Sequence, residues 1–222
     1  VQDYSAAQLA VLARFFRRAH FMLLGDENQA INPNTASFAE VREVFTHLRG
    51  GISTCSLLTS YRSSPEITEI FAGLLPAEQR AKISSVQRAS EPVRVDCYGN
   101  DDEYSAALRE AVAHAKENDG LTAIVVPWKH EAKRLRAFLG DAADGLVDME
   151  TAAELPTNGA MIITLQLAKG LEFDHVIVPD ASARVFPADD RVAKNRLYTT
   201  VSRATRSVQI LCRGDITPLL KK

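Results

Sequence analysis

Hydrophobic and polar positions change rhythm along this chain, and the changes mark out its elements. Ser5 is placed to cap a helix over about residues 6–18, with Leu9, Leu12, Phe15 and Phe16 as its apolar stripe. Phe21 to Leu24 is a short apolar run, expected to be a buried strand that ends at Gly25–Asp26. Residues 32–37 read as loop and about 37–48 as a second helix. Gly50–Gly51 then breaks the chain, and Leu57–Leu58 predicts another strand. Ser64–Pro65 is a helix start, because Pro suits the first helical turn.

From there the elements alternate. Strands are predicted at Val93–Tyr98, Ala123–Val126, 146–149, Met161–Thr164, His175–Val178 and Val208–Leu211. Helices are predicted at 102–118, 128–139 and about 190–203. Short β-rich runs alternating with helices of this length imply an α/β fold, a mostly parallel sheet flanked by helices. A domain change is expected near Gly50–Leu57. In helix 128–139, Trp128, Ala132, Leu135 and Leu139 form an apolar stripe, with Lys129, Lys133 and Arg136 beside it. Those three cations read as a solvated face, with contact to nucleic-acid phosphates as the alternative.

Composition narrows the class. With 222 residues, 46% hydrophobic and 24% charged, the chain is neither disordered nor collagen-like. No apolar run approaches the roughly 18–20 residues of a membrane span. Lys and Arg number 26 against 28 acids, a formal charge of −2, which argues against a uniformly basic nucleic-acid binder but leaves room for a local basic groove. Cys55, Cys97 and Cys212 show no metal-ligand spacing. They are expected to be small buried residues in a reducing, cytoplasmic compartment. The chain has no initiator Met and opens on VQDYSAAQ, so an excised fragment is expected, and the two terminal Lys read as a solvated end.

Four phrases carry the chemistry: GDENQAI (Gly25 to Ile31), SYRSSPEI (Ser60 to Ile67), TLQLAKGLEFDHVIV (Thr164 to Val178) and NRLYTTVSRA (Asn195 to Ala204). All fall at predicted strand ends or the turns after them. Ligands of open α/β sheets bind at the carboxyl ends of strands, so a single site there is expected. Within the third phrase, a Lys-Gly turn between strands has little structural need for the Glu172 that follows.

In their order these phrases resemble the UvrD/Rep-like superfamily 1 DNA helicases. GDENQAI looks like the third motif of that family, SYRSS the fourth, TLQLAKGLEFD the fifth and LYTTVSRA the sixth. VQD looks like the tail of the second. The resemblance implies two RecA-like domains with ATP and Mg²⁺ in the cleft between them. Residues 1–55 would be the C-terminal remnant of the first and 56–222 the second. It further implies that Gln29 senses the γ-phosphate, that Tyr61 stacks on adenine and that Arg62 and Arg203 reach the γ-phosphate. Glu172, beyond Gly170, would hydrogen-bond the ribose, and Thr164 and Gln166 would lie near the nucleic-acid backbone. Such roles fit phosphoryl transfer, in which an arginine finger contributes about 10³–10⁵ in rate. The planar, permanently charged fork of Arg suits the task.

A phosphate loop needs Gly-Lys followed by Ser or Thr, and none of the 11 glycines precedes a Lys. The acidic pair that would hold Mg²⁺ is also absent. The expectation is half an ATPase site, inactive alone, completed by a missing N-terminal RecA-like domain. Three features depart from the family pattern. Asn32, Pro33 and Asn34 stand where relatives that track along single-stranded DNA carry an aromatic pair, and Gln166 stands where His is usual. The interval from Arg62 to Thr164 suffices for the second RecA-like core but not for a large accessory domain. The stretch around Asn32 is most similar to HelD-like proteins, which act on bacterial RNA polymerase. The main expectation is therefore the C-terminal motor portion of a DNA helicase. The alternatives are an ATP-driven remodeller of RNA polymerase and a non-catalytic nucleotide-sensing module.

Overall fold

Two serines start the helices of the first of two units, Val1–Leu57; the second is Leu58–Lys222. The computed structural model describes residues 1–57 and 59–221. In the first unit, Ser5 caps α1 (Ala6–Phe15) and Ser37 caps α2 (Phe38–Arg49). Each forms a capping box, with Gln8 and Glu40 as the reciprocal partners. Leu9 and Ala13 of α1 pack against Val41 and Phe45 of α2, and Phe21 meets Phe45 edge-on at 5.2 Å. Arg49 donates to the carbonyls of Arg17 and Ala19 and lies over the Phe21 ring.

Two expectations for this unit need correction. α1 stops at Phe15, short of the expected end near 18, and Phe15, its last residue, and Phe16, its C-cap, are exposed instead of joining the buried stripe. The predicted strand Phe21–Leu24 does not form among the described residues. Phe21 and Leu23 pack toward the helices, while Met22 and Leu24 are 83% and 66% exposed. The alternation of a strand is there, but a strand also needs a neighbour to pair its backbone, and no strand among the described residues pairs with this segment.

In the second unit, β1 (Thr59–Ser60) pairs in parallel with β2 (Ser84–Ser85). Between them lie α3 (Pro65–Gly73), capped by Ser64 with Pro65 in its first turn, and α4 (Ala77–Arg80). Leu58 of the predicted Leu57–Leu58 strand and Lys222 of the terminal pair lie outside the described residues; Leu57 is exposed and belongs to no strand.

The remainder alternates as expected: β3 (Arg94–Tyr98), α5 (Asp101–Glu117), β4 (Leu121–Val126), α6 (Lys129–Leu139), β5 (Val147–Asp148), β6 (Gly159–Thr164), α7 (Leu165–Ala168), β7 (Phe173–Val178), α8 (Arg191–Val201) and β8 (Ala204–Arg213). Six strands form one sheet in the order β3-β8-β7-β4-β6-β5, with every pair parallel. β4, LTAIVV, is buried along its whole length, as a central parallel strand covered on both faces must be.

The strand order determines which face each helix covers. The crossovers β3-α5-β4 and β4-α6-β5 step one way across the sheet; those through α7 and α8 step back. Right-handed crossovers then put α5 and α6 on one face and α7 and α8 on the other. Contacts agree: α5 packs on α6, and α7 on α8. On the first face Leu108, Val112, Leu135 and Leu139 close over Ile124 and Ile162. On the second, Phe71 of α3 meets Tyr198 of α8 edge-on at 5.3 Å. Chain leaving β4 turns to the opposite face from chain leaving its neighbours β6 and β7, so the carboxyl end of β4 is a topological switch point.

The cysteines differ from expectation. Cys55 and Cys97 are exposed and only Cys212 is buried. Cys97 on edge strand β3 is the register partner of Cys212, whose thiol is pushed up to about 12 by burial and by its hydrogen bond with Cys97. Among the described residues no helix is long and apolar enough to cross a membrane.

Candidate functional site

The turn between α7 and β7 gathers three of the expected residues. Gly170 sits at φ +89°, a left-handed conformation that disfavours a Cβ, and the space around it is open, so the requirement for glycine is conformational. The next carbonyl, Leu171 O, accepts from Arg203 Nη1 at 3.3 Å. Arg203 is 2% exposed and also donates from Nε to Thr199 O at 3.2 Å and from Nη2 to Ser202 Oγ at 3.3 Å. Glu172 Oε1 meets Arg62 Nε at 2.5 Å, with side chains 49% and 40% exposed. The loop carrying Arg62 is tied down beside them, because Ser63 Oγ donates to Ala204 O at 2.7 Å and Ser85 Oγ to Ser63 O at 2.7 Å. Tyr61, next to Arg62, is 72% exposed, and its carbonyl accepts from Gln87.

The two arginines are therefore not equivalent. Arg203 is buried and fixed by backbone carbonyls. Arg62 is oriented through Nε by Glu172 and has no other ion-pair partner among the described residues, so its two Nη groups remain for another anion.

Thr164 and Gln166 lie elsewhere. Thr164 ends β6, is the register partner of Val126 at the end of β4, and donates from Oγ1 to Glu150 Oε1 at 2.8 Å. Glu150 Oε2 pairs with Lys129 Nζ at 2.9 Å, and the Lys129 ammonium, followed by the Thr164 hydroxyl, holds this carboxyl below its ordinary value. Gln166 is exposed on α7. Trp128, at the start of α6, is covered by the Arg196 guanidinium, whose Cζ lies 3.7 Å from the ring centroid. On the other side of the β4 end is a cavity of about 340 Å³, lined among others by Val126, Pro127, Glu131, Phe138, Asp180 and Phe186. Burial there raises the Glu131 carboxyl above its ordinary value.

Within the second unit, the single carboxyl-end site expected from the phrases is thus replaced by two edges. Glu172 and Arg203 immediately precede Phe173 and Ala204, register partners at the amino ends of β7 and β8. Thr164 is level with Val126, while His175 is level with Thr122. Six residues of strand at ~3.3 Å each put about 20 Å between the two sets along the strand direction. In the first unit, Gln29 belongs to a 3-10 turn, Glu27–Gln29, and donates from Nε2 to Asp26 Oδ2 at 2.9 Å, while Asp26 Oδ1 accepts from Asn28 N at 2.9 Å. Among the described residues no cluster of three or more His, Cys, Asp or Glu could hold a metal ion.

Thr164, Gln166, Gly170, Glu172 and Arg203 all fall in one stretch with a recognisable sequence. Residues 159–211 match the UvrD-like helicase C-terminal domain. The chain is also similar to the C-terminal domain of a possible DNA helicase from Lactobacillus plantarum WCFS1, a crystal structure. The two are 27% identical, with 72% of this chain and 92% of that one covered and a TM-score of 0.59. No curated protein matches the chain. The second unit thus has a six-strand parallel α/β fold similar to that of a helicase C-terminal domain. Tyr61, Arg62 and Gln29 lie outside the stretch matched to the UvrD-like domain.

Sequence reasoning missed Glu150, the link between Thr164 and Lys129, because nothing in MET marks it. It also missed Arg196, which lies inside the fourth phrase but only seven positions before the more conspicuous Arg203. By spacing alone Trp128 belongs to an apolar stripe, and as an aromatic it is also a candidate for the base platform that Asn32–Asn34 do not offer. A signal was present, since Trp is a poor residue for a helix start.

Proposed function

We propose that this chain is the C-terminal motor portion of an ATP-dependent superfamily 1 DNA helicase. The observation that carries the proposal is the convergence of Arg62, Glu172 and Arg203 on the Gly170 turn, beside exposed Tyr61. A guanidinium held at one nitrogen and open at two others suits a γ-phosphate, since catalysis of phosphoryl transfer is mostly positioning and charge stabilisation. In this reading Tyr61 stacks on adenine. Glu172 orients Arg62 and exchanges part of that contact for the ribose. Arg203 holds the turn together, and to reach the γ-phosphate it would exchange its bond to Leu171 O for one to the nucleotide. The phosphate loop and the Mg²⁺ ligands come from an N-terminal RecA-like domain outside these 222 residues, so the chain alone does not turn over ATP. Loss of the γ-phosphate would release the arginines and reopen the two domains.

The first unit is read as the tail of that RecA-like domain. Its segment 21–24 is apolar on both faces, which is what a strand covered on both sides of a parallel sheet requires. Gln29, on the turn that follows, would sense the γ-phosphate. Thr164 and Gln166, on the opposite edge of the second unit, would meet single-stranded DNA. A cytoplasmic location goes with ATP and chromosomal DNA as substrates.

A second reading, an ATP-driven remodeller of RNA polymerase, is favoured by one observation: Asn32, Pro33 and Asn34 are all exposed and offer no π-face to a base. The deciding experiment is ATP-dependent strand displacement by a protein that joins this chain to its phosphate-loop domain. Unwinding of duplexes without RNA polymerase supports the helicase. ATPase activity without unwinding, raised by added RNA polymerase, supports the remodeller.

A further inference from the structure

We infer that Trp128 is a stacking platform for a base of single-stranded DNA, with Arg196 fixed beneath its ring and Lys129 beside it for the adjoining phosphate. The inference rests on the proposed helicase function and adds Trp128 and Lys129, which lie outside the four phrases and the matched family stretch, with Arg196 of the fourth phrase in support.

Local chemistry is the first argument. The five other helices of nine residues or more each begin with a side chain that caps them: Ser5, Ser37, Ser64, Asn100 and Asp190. α6 begins with Trp128, which makes no capping bond. Trp is among the residues least suited to that position, and a locally unfavourable choice without a structural gain marks a functional position. Packing supplies part of the gain, through Arg196 on the ring, but Trp128 remains 41% exposed while Ala132, Leu135 and Leu139 of the same stripe are buried.

Placement is the second. Trp128 lies two residues beyond Val126, at the switch point of the sheet, where crevices form outside the strand ends. Val126 is the register partner of Thr164, so Trp128 and Lys129 share an edge with Thr164 and the exposed Gln166. Lys129 is 65% exposed, and its partner Glu150, 15% exposed, also accepts from the Thr164 hydroxyl at 2.8 Å, so the carboxylate keeps a donor if the Lys129 ammonium turns to a phosphate.

The third argument is the pairing with Arg196. Its guanidinium lies flat enough on the ring to bring Cζ to 3.7 Å, and it makes no ion pair among the described residues. A cation beneath one face holds the indole in one orientation. Bases stack on such rings whatever their sequence, because every base has a π-face. The platform missing at Asn32–Asn34 would thus be provided from the second unit.

Trp128 is the only tryptophan, so its emission reports this one position. The test titrates the 222-residue chain with a fluorescently labelled oligothymidylate of about 12 nucleotides at low salt, following tryptophan emission and label anisotropy together. Binding with quenching is expected. Trp128→Ala and Trp128→Asn should each weaken binding about 5- to 150-fold, with Trp128→Phe between them and wild type. Trp128→Asn restores a capping residue and should melt no lower than wild type, which separates lost stacking from lost fold. Binding without quenching, and with Trp128→Asn as tight as wild type, overturns the platform and leaves the helicase reading standing. No binding in anisotropy overturns the platform and counts against the helicase reading as well.

Discussion

Replacing Arg203 with Ala and Arg62 with Ala should damage the fold very differently, although a motif comparison treats them alike. The Arg62–Glu172 pair is close at 2.5 Å, but its side chains are 40% and 49% exposed. Solvent-screened pairs of this kind contribute about 0.2–1 kcal/mol. Arg62→Ala should therefore lower Tm by no more than about 2–4 °C in a domain of this size. Arg203 is 2% exposed and donates to Leu171 O, Thr199 O and Ser202 Oγ. Thr199 O keeps a donor in Ser202 Oγ at 3.0 Å. Leu171 O has no second donor among the hydrogen bonds described, and an orphaned buried acceptor costs about 1–3 kcal/mol. Loss of the buried stem of the side chain adds about 1 kcal/mol or more. The expected total is about 2–4 kcal/mol, several-fold more than for Arg62. Urea unfolding of the chain, followed by emission of Trp128 in the second unit, measures both. Equal costs, or a cost below about 1 kcal/mol for Arg203→Ala, would refute this account of the two residues. The consequence for enzymology is direct: activity lost in Arg203→Ala mixes chemistry with stability, and Arg62→Ala is the cleaner probe.

Two other perturbations address the fold and one addresses the proposed nucleotide edge. Gly120 sits at φ +97°, and a Cβ there would come within 2.7 Å of the Asp174 carboxyl carbon, which holds Leu121 N at 2.9 Å and Arg206 Nε at 3.1 Å. Gly120→Ala should cost about 3–5 kcal/mol in urea unfolding, against about 1–2 for Gly170→Ala, which has open space and pays only for backbone strain. Glu131 has a carboxyl raised above its ordinary 4.5 by burial. Protonation therefore favours the folded state: its contribution is full below the ordinary value and is lost as pH rises through the folded one. Glu131→Gln should remove that loss, leaving the variant more stable than wild type at neutral pH and less dependent on pH just above 4.5, as thermal melts across pH will show. Tyr61→Ala, at a position 72% exposed, should leave Tm unchanged and weaken ATP binding in the protein joined to its phosphate-loop domain, read by titration with a fluorescent nucleotide.

Where local chemistry decides, the sequence was a good guide. Ser5, Ser37 and Ser64 start helices because a hydroxyl accepts from a free N–H in the first turn, and that is visible in three or four residues. The apolar runs that become β4, β6, β7 and β8 were visible because strands of a covered sheet are buried, and β3 was visible from its β-rich residues although most of it is exposed. α4, α7 and the two-residue β2 were too short to show a period, and Ser84–Ser85 has no apolar side chain to betray it. Phe21–Leu24 has a strand's pattern without a strand's partner, and pairing is a long-range fact. The four chemical phrases were visible, but the division of those in the second unit between its two edges was not. That division depends on which way the chain crosses α7 and α8, since both helices carry it from the carboxyl edge back to the amino edge. The Arg62–Glu172 and Trp128–Arg196 contacts join residues far apart in sequence, and no local spacing announces either.

The central claim is that the second unit presents Arg62, aimed by Glu172, to the γ-phosphate of ATP. The most direct test is the rate of ATP hydrolysis at saturating ATP and single-stranded DNA, for wild type and Arg62→Ala, in the protein that joins this chain to its phosphate-loop domain. An arginine finger acts in the transition state, so kcat should fall by about 10³-fold or more while the Kd for ATP changes far less. A kcat within about twofold of wild type would contradict the claim, because a finger is worth about 10³–10⁵.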